Sequence, residues 1–194
     1  MLQKTIFDCV CCRILLQKIS TWFFKFKKWT LVGEIPPTIK KYVIAAAPHT
    51  TWLDLPYSLM IASHFQMRIF WIGKEELFVW PFKGFLGWIG GLAVKRSGNL
   101  HKTDYFGKML REHKGSLQLV IAPAGTRKNI PAALWKRGYY DIAVKANVPI
   151  VFFFINYTKK EAGIGMIFYP TNDYNIDIKI IEKFYKTYVE HQQT

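Results

Sequence analysis

The sequence has no stretch of about 18 uncharged apolar residues, so no transmembrane helix is expected. Cysteine is scarce: Cys9, Cys11 and Cys12 are the three in the chain, crowded together near its start. That spacing is too tight for an ordinary disulfide framework and does not match a zinc site. The expected role is small apolar filler in a reducing compartment, with lipidation of a membrane-proximal cysteine as the alternative. The N-terminal apolar segment is interrupted by Asp8, Arg13 and Lys18 and lacks a small-residue cleavage site, so no secretory signal is expected. His64, His101, His113 and His191 are scattered, and no metal site is expected. There is no Walker A loop, no dinucleotide fingerprint and no recognisable nucleic-acid-binding motif. Acidic residues are also few: 13 Asp and Glu stand against 27 Lys and Arg, a formal net charge of +14.

What is present is a basic, aromatic-rich chain of 194 residues, 51% apolar and 16% aromatic. That composition excludes disorder and suits one domain with a real core. Such a surface seeks polyanions, whether nucleic acid, anionic lipid headgroups or phosphorylated substrates. Charge alone does not choose among them, and no nucleic-acid partner is expected without a motif to bind one.

Residues 2–29 read as one helix. Leu15, Ile19, Trp22, Phe26 and Trp29 recur at three- and four-residue spacing, with Ile14 and Phe23 beside them. Arg13, Lys18, Lys25, Lys27 and Lys28 fall around and opposite that stripe. Two readings follow: a basic amphipathic helix in a membrane interface, or a helix packed on the domain core. Beyond Gly33 and Pro36-Pro37, strand-like runs at 42–47, 68–72, 92–95, 117–122 and 148–155 are interleaved with helical patterns at 51–63, 102–113 and 135–146. A closing helix is expected at 174–190. This alternation predicts an α/β fold with a mostly parallel central sheet flanked by helices. The expected division is an amphipathic membrane-associating helix over 1–30 and a single α/β domain over 31–194.

Three segments could carry chemistry. In the first, His49 is followed by Asp54 just after an apolar strand. On one regular helix, five positions place side chains about 140° apart. If His49 instead lies in the loop and Asp54 in the first helical turns, with Thr50 or Thr51 as N-cap, the carboxylate can reach back. It would fix the ring tautomer and leave the other nitrogen to take a proton. The bland alternative is a capping threonine and a structural histidine. The second segment, Pro123-Ala124-Gly125-Thr126-Arg127-Lys128, ends a strand in a glycine turn with a hydroxyl and cations. It is either an anion cradle or an ordinary solvated turn. The third runs from Gly73-Lys74-Glu75-Glu76-Leu77 through Pro81 and Gly84 to Gly90-Gly91-Leu92-Ala93-Val94-Lys95-Arg96-Ser97. It places further cations at strand ends, where open α/β sheets bind ligands. Lys74, Lys95, Arg96 and Arg127 are expected near His49.

The order H-x4-D, G-K-E-E-L with P-x-x-G, G-G-x-x-V-x-R-S, P-x-G-T-R and V-P-I-V resembles the glycerolipid acyltransferases. That family includes lysophosphatidic acid acyltransferase and glycerol-3-phosphate acyltransferase. The resemblance spans roughly residues 30 to 170, and the run Trp135-Lys136-Arg137-Gly138-Tyr139-Tyr140 is similar to the short bacterial members. It implies that His49 is the catalytic base and Asp54 its orienting partner. It also implies that Lys74, Arg96, Gly125, Thr126 and Arg127 face the acceptor's phosphate or headgroup, and that Pro149 supports the acyl site. The implied reaction is direct attack of a lysolipid hydroxyl on an acyl thioester, with acyl-CoA or acyl-carrier protein as donor and no cofactor. The implied location is peripheral, on the cytoplasmic face of a membrane with an anionic surface. The aromatic segment Phe78-Val79-Trp80-Pro81-Phe82, with Phe85 and Trp88, could line an acyl groove, dip into lipid or pack in the core. Two positions depart from the family. Ala124 stands where the third motif normally has glutamate, and Lys95 where the second often has aspartate. The alternative function is therefore a catalytically impaired lipid- or membrane-binding protein on the same scaffold.

Overall fold

The computed structural model describes residues 2–47, 51–95, 102–126 and 130–189. A seven-stranded sheet runs through the molecule in the order β1-β7-β6-β2-β5-β3-β4. Its strands are β1 (Thr30–Val32), β2 (Lys41–Ala46), β3 (Ile69–Lys74), β4 (Gly91–Val94), β5 (Leu117–Ile121), β6 (Ile150–Asn156) and β7 (Glu161–Phe168). The helices are α1 (Val10–Phe26), α2 (Asp54–His64), α3 (Phe82–Trp88), α4 (Lys102–Glu112), α5 (Gly138–Ala146) and α6 (Tyr174–Val189). The five strands β6, β2, β5, β3 and β4 pair in parallel. β7 turns back antiparallel to β6, and β1 pairs in parallel with β7. The expected mostly parallel α/β sheet is what forms.

Both faces of the sheet are covered, and strand alternation divides the side chains between them. Val43 and Ala45 of β2, with Leu117, Leu119, Ile150 and Phe152, pack under α4, α5 and α6. Tyr42 and Ile44, with Ile69, Val151 and Phe153, pack under α1 and α2. The central strand β6 is buried along its whole length, as its unbroken apolar run predicts.

The N-terminal helix differs from the expected 2–29. A short 3₁₀ turn over Ile6–Asp8 comes first, and extended backbone at Cys9 (φ −85°, ψ 114°) separates it from α1. Asp8 is engaged by the Thr5 amide at 2.7 Å and by Arg68 at 2.7 Å, which fixes that break. Cys9 and Cys11 are exposed, so the filler role expected for them is not met. Cys9 instead caps α1, its Sγ accepting the Cys12 amide at 3.3 Å.

The protein-facing side of α1 is made by Ser20 and Phe24. The Ser20 hydroxyl donates to the Met60 carbonyl on α2 at 2.6 Å. Phe7 and Phe24 belong to the same buried cluster as β2 and α2, so this segment shares its core with the domain that follows. Leu15, Ile19, Trp22 and Phe26, joined by Val10 and Ile14, face outward; Trp22 is 65% and Phe26 67% exposed. Trp29 leaves the stripe and packs inward against Phe24, Tyr57 and Tyr157. No described helix is long and apolar enough to cross a membrane.

Three elements are not legible in the sequence pattern. β1 is only three residues long. α3 lies in the aromatic segment, where Trp80 is 91% exposed and Phe82, Phe85 and Trp88 are also largely outside the core. β7 contains Gly163 and Gly165, which weaken a strand pattern. Gly163 is there for a close approach: at φ +142°, a Cβ would sit 2.1 Å from the Val32 carbonyl oxygen of β1.

Candidate active site

Parallel strands bring their C-terminal ends to one edge of the sheet, where loops are free to hold a ligand. Thr51 and Asp54 follow β2, Lys74 ends β3, Lys95 follows β4, Ala124-Gly125-Thr126 follow β5 and Tyr157 follows β6. His49, Arg96 and Arg127 lie outside the described residues. Pro149 is not brought to this edge. It sits buried at the start of β6, at the opposite end of the sheet, where its carbonyl accepts the Val43 amide at 3.0 Å.

Asp54 is the best-defined group of the site. It is only 5% exposed, and a buried carboxylate has to be hydrogen-bonded. The Thr51 amide donates to one carboxylate oxygen at 2.9 Å, and the Thr51 hydroxyl donates to the other at 3.0 Å. The Tyr157 hydroxyl donates to that second oxygen at 2.7 Å. Thr51 Oγ1 in turn accepts the Leu53 amide at 3.2 Å. These bonds close a local turn ahead of α2. Asp54 lies in the first helical turn as expected, but the N-cap position is taken by Leu53, which makes no side-chain cap bond, so the expected threonine cap does not form. The helix start also favours negative charge there.

Tyr157 is a site residue that sequence reasoning missed. It is 103 positions from Asp54, and only the pairing of β6 beside β2 brings them together. Its ring meets Trp29 and Tyr57 edge-on, with centroids 5.6 Å and 5.5 Å away. Burial pushes its phenol well above the ordinary value. The Thr51 hydrogen bond opposes that shift, and the hydrogen bond and charge of Asp54 add to it. The hydroxyl is therefore a lasting donor at neutral pH.

The loop after β5 turns at Gly125 (φ +61°), whose amide donates to the Ala122 carbonyl at 3.1 Å. Lys136 is the second residue that the sequence left without a role. Its amide donates to the Pro123 carbonyl at 3.0 Å. Its Nζ passes 3.3 Å from where a Cβ on Gly125 would be. The methyl of Ala124 packs against the buried cluster under α4–α6. Lys74 and Lys95 are exposed, and Lys95 reaches Glu75 at 3.9 Å, a solvated pair of little energetic weight.

A buried, oriented carboxylate, a glycine turn and lysines thus follow the C-terminal ends of strands in one parallel sheet, the edge at which α/β proteins hold ligands. The family model described as Acyltransferase matches residues 29–155, more than half the chain, and the chain belongs to that family. It is an acyltransferase. Among solved structures it is similar to the 1-acyl-sn-glycerophosphate (LPA) acyltransferase PlsC from Thermotoga maritima. The TM-score is 0.66 at 20% identity, over 94% of this chain and 80% of that one, a likeness that concerns the fold. A comparison with curated proteins finds no match.

Proposed function

We propose that the protein transfers an acyl chain from an acyl thioester to the hydroxyl of a lysophospholipid at a membrane surface. The observation that carries this reading is the Asp54 carboxylate, buried and fixed by Thr51 and Tyr157 at the sheet edge, five positions after His49. In the proposed reaction His49 removes the acceptor hydroxyl proton while Asp54 steadies its ring. The oxygen attacks the thioester carbonyl, the C–O bond forms and the C–S bond breaks. The proton passes to the departing thiolate. No nucleophilic serine or cysteine is required, and the donor is acyl-CoA or acyl-carrier protein rather than a resident cofactor. Lys74, Arg96 and Arg127, with the Gly125-Thr126 turn, would face the acceptor's anionic headgroup, joined by Lys136. A panel of lysolipids offered with each donor tests this; failure of every lysolipid to be acylated would sink it.

Ala124 supports a second reading, a lipid-binding protein with an impaired site. Its methyl packs on the core in the motif position where the resemblance expects glutamate. The Ala124→Glu variant separates the two. A large gain from near-zero turnover supports the impaired site. Unchanged, substantial turnover in the parent supports the enzyme.

Membrane docking is part of the proposal. The outward apolar stripe of α1 lies beside exposed Lys18, Lys25, Lys27 and Lys28, the composition of an interfacial helix. The same reading makes the protein peripheral and monotopic, on the cytoplasmic face of the membrane. In the double variant Trp22→Ser/Phe26→Ser, co-sedimentation with phosphatidylglycerol-containing vesicles is expected to weaken at least about tenfold, since two aromatic side chains lose their burial. Unchanged sedimentation would remove α1 from the contact.

A further inference from the structure

We infer that Tyr157 is a positioning residue for acyl transfer, fixing the Asp54 carboxylate and through it the His49 ring. The inference rests on the proposed role of His49 as base and adds a third member behind it. The geometry is specific. Tyr157 Oη donates to Asp54 Oδ1 at 2.7 Å, and the Thr51 hydroxyl meets the same oxygen at 3.0 Å. Thr51 Oγ1 and Tyr157 Oη are themselves 3.4 Å apart. One carboxylate oxygen is thus clamped from two chain segments, while the Thr51 amide fixes the other.

The phenol cannot swing away easily, because its ring is wedged edge-on against Trp29 and Tyr57. Trp29 and Tyr57 also touch each other, with centroids 5.0 Å apart. The chain beyond Tyr157 is tied back by the Lys159 amide, which donates to the Asn156 side chain at 2.8 Å. The titratable groups that face the Tyr157 hydroxyl are Asp54 and Tyr57, both on α2, and Trp29, packed next to Tyr57, carries no charge. A donor to a carboxylate stabilises its negative charge and moderates its pull on a neighbouring imidazolium. Tyr157 therefore does two things: it holds Asp54 in one rotamer, and it keeps the base from being protonated too readily.

The test is Tyr157→Phe, which keeps the ring and its packing and removes only the donor. The turnover number is expected to fall about tenfold or more, the scale of one hydrogen bond to a charged group, with KM for the lysolipid unchanged. The sign of the pH effect follows from the charge. Without the donor, Asp54 attracts the imidazolium proton more strongly. The base is then free only at higher pH, and the acidic limb of the pH–rate profile moves upward. Tyr57→Phe, in the same aromatic cluster, is expected to leave both quantities in place.

The double variant with His49→Ala separates this inference from the reading beneath it. Tyr157→Phe is expected to add no further loss once His49 is gone. Full persistence of its effect in that background overturns the positioning role, whatever His49 does. Retained turnover in His49→Ala alone overturns the base itself. A raised KM with unchanged turnover would make Tyr157 a substrate contact instead. Lower turnover with an unmoved pH profile and a lowered melting temperature would reduce it to a structural residue.

Discussion

In the His49→Ala variant, acyl transfer is expected to fall by about 10²–10⁴-fold, the usual contribution of a general base, while the melting temperature stays where it was. The reason for separating the two readouts lies in Asp54. That carboxylate has structural partners of its own, the Thr51 amide and hydroxyl and the Tyr157 hydroxyl, in the turn that leads into α2. Removing Asp54 outright would mix lost chemistry with orphaned donors on Thr51 and Tyr157. His49→Ala keeps all of those bonds. Steady-state rates with a lysolipid acceptor, read beside a thermal melt, check the expectation. Turnover within a fewfold of the parent would mean that the hydroxyl loses its proton to something else.

The largest expected effect on stability is at Phe152. Phe152→Ala should cost about 3–5 kcal/mol, through lost burial and the cavity left behind. In a domain of this size that corresponds to a melting temperature lower by on the order of 10 °C. Phe152 is fully buried in the middle of β6. Its ring meets Phe184 at 5.8 Å and Tyr185 at 5.6 Å from α6, and Phe168 at 6.4 Å from β7. Tyr185 then reaches past it, its hydroxyl within 3.2 Å of the Ala45 carbonyl and 3.3 Å of the Phe153 carbonyl. Loss of the ring loosens α6 and β7 from the sheet together. Denaturant unfolding monitored by tryptophan fluorescence measures the cost. A loss under about 1 kcal/mol would mean that the neighbouring aromatics collapse into the gap.

These residues also show what the sequence could disclose. The unbroken apolar run Tyr42-Val43-Ile44-Ala45 states directly that β2 is covered on both faces, and that of β6 says the same. The Thr51–Asp54 contact is legible because it is local, acting over three positions, although the helix it precedes is not capped by Thr51. Tyr157 is not legible, since its bond to Asp54 exists only once two strands pair. Lys136 is hidden for a related reason: the chain returns to the β5 loop after a segment that no periodicity describes. β7 is obscured by the glycines that let β1 lie close to it. The stripe on α1 is visible as a pattern, but its direction is not. Spacing shows that Leu15, Ile19, Trp22 and Phe26 share a side, and only the packing of Phe24 and Ser20 on α2 shows that this side is turned outward.

That arrangement bears on how the proposed membrane contact of α1 should be removed by engineering. Truncating the first three dozen residues looks like the direct route, yet it would pull Phe7, Phe24 and Trp29 out of the interior. It would also remove the Trp29 wall behind Tyr157. Repainting is the better strategy: polar replacements at Leu15, Ile19, Trp22 and Phe26 change only what the helix shows to its surroundings and leave the inner side as it is.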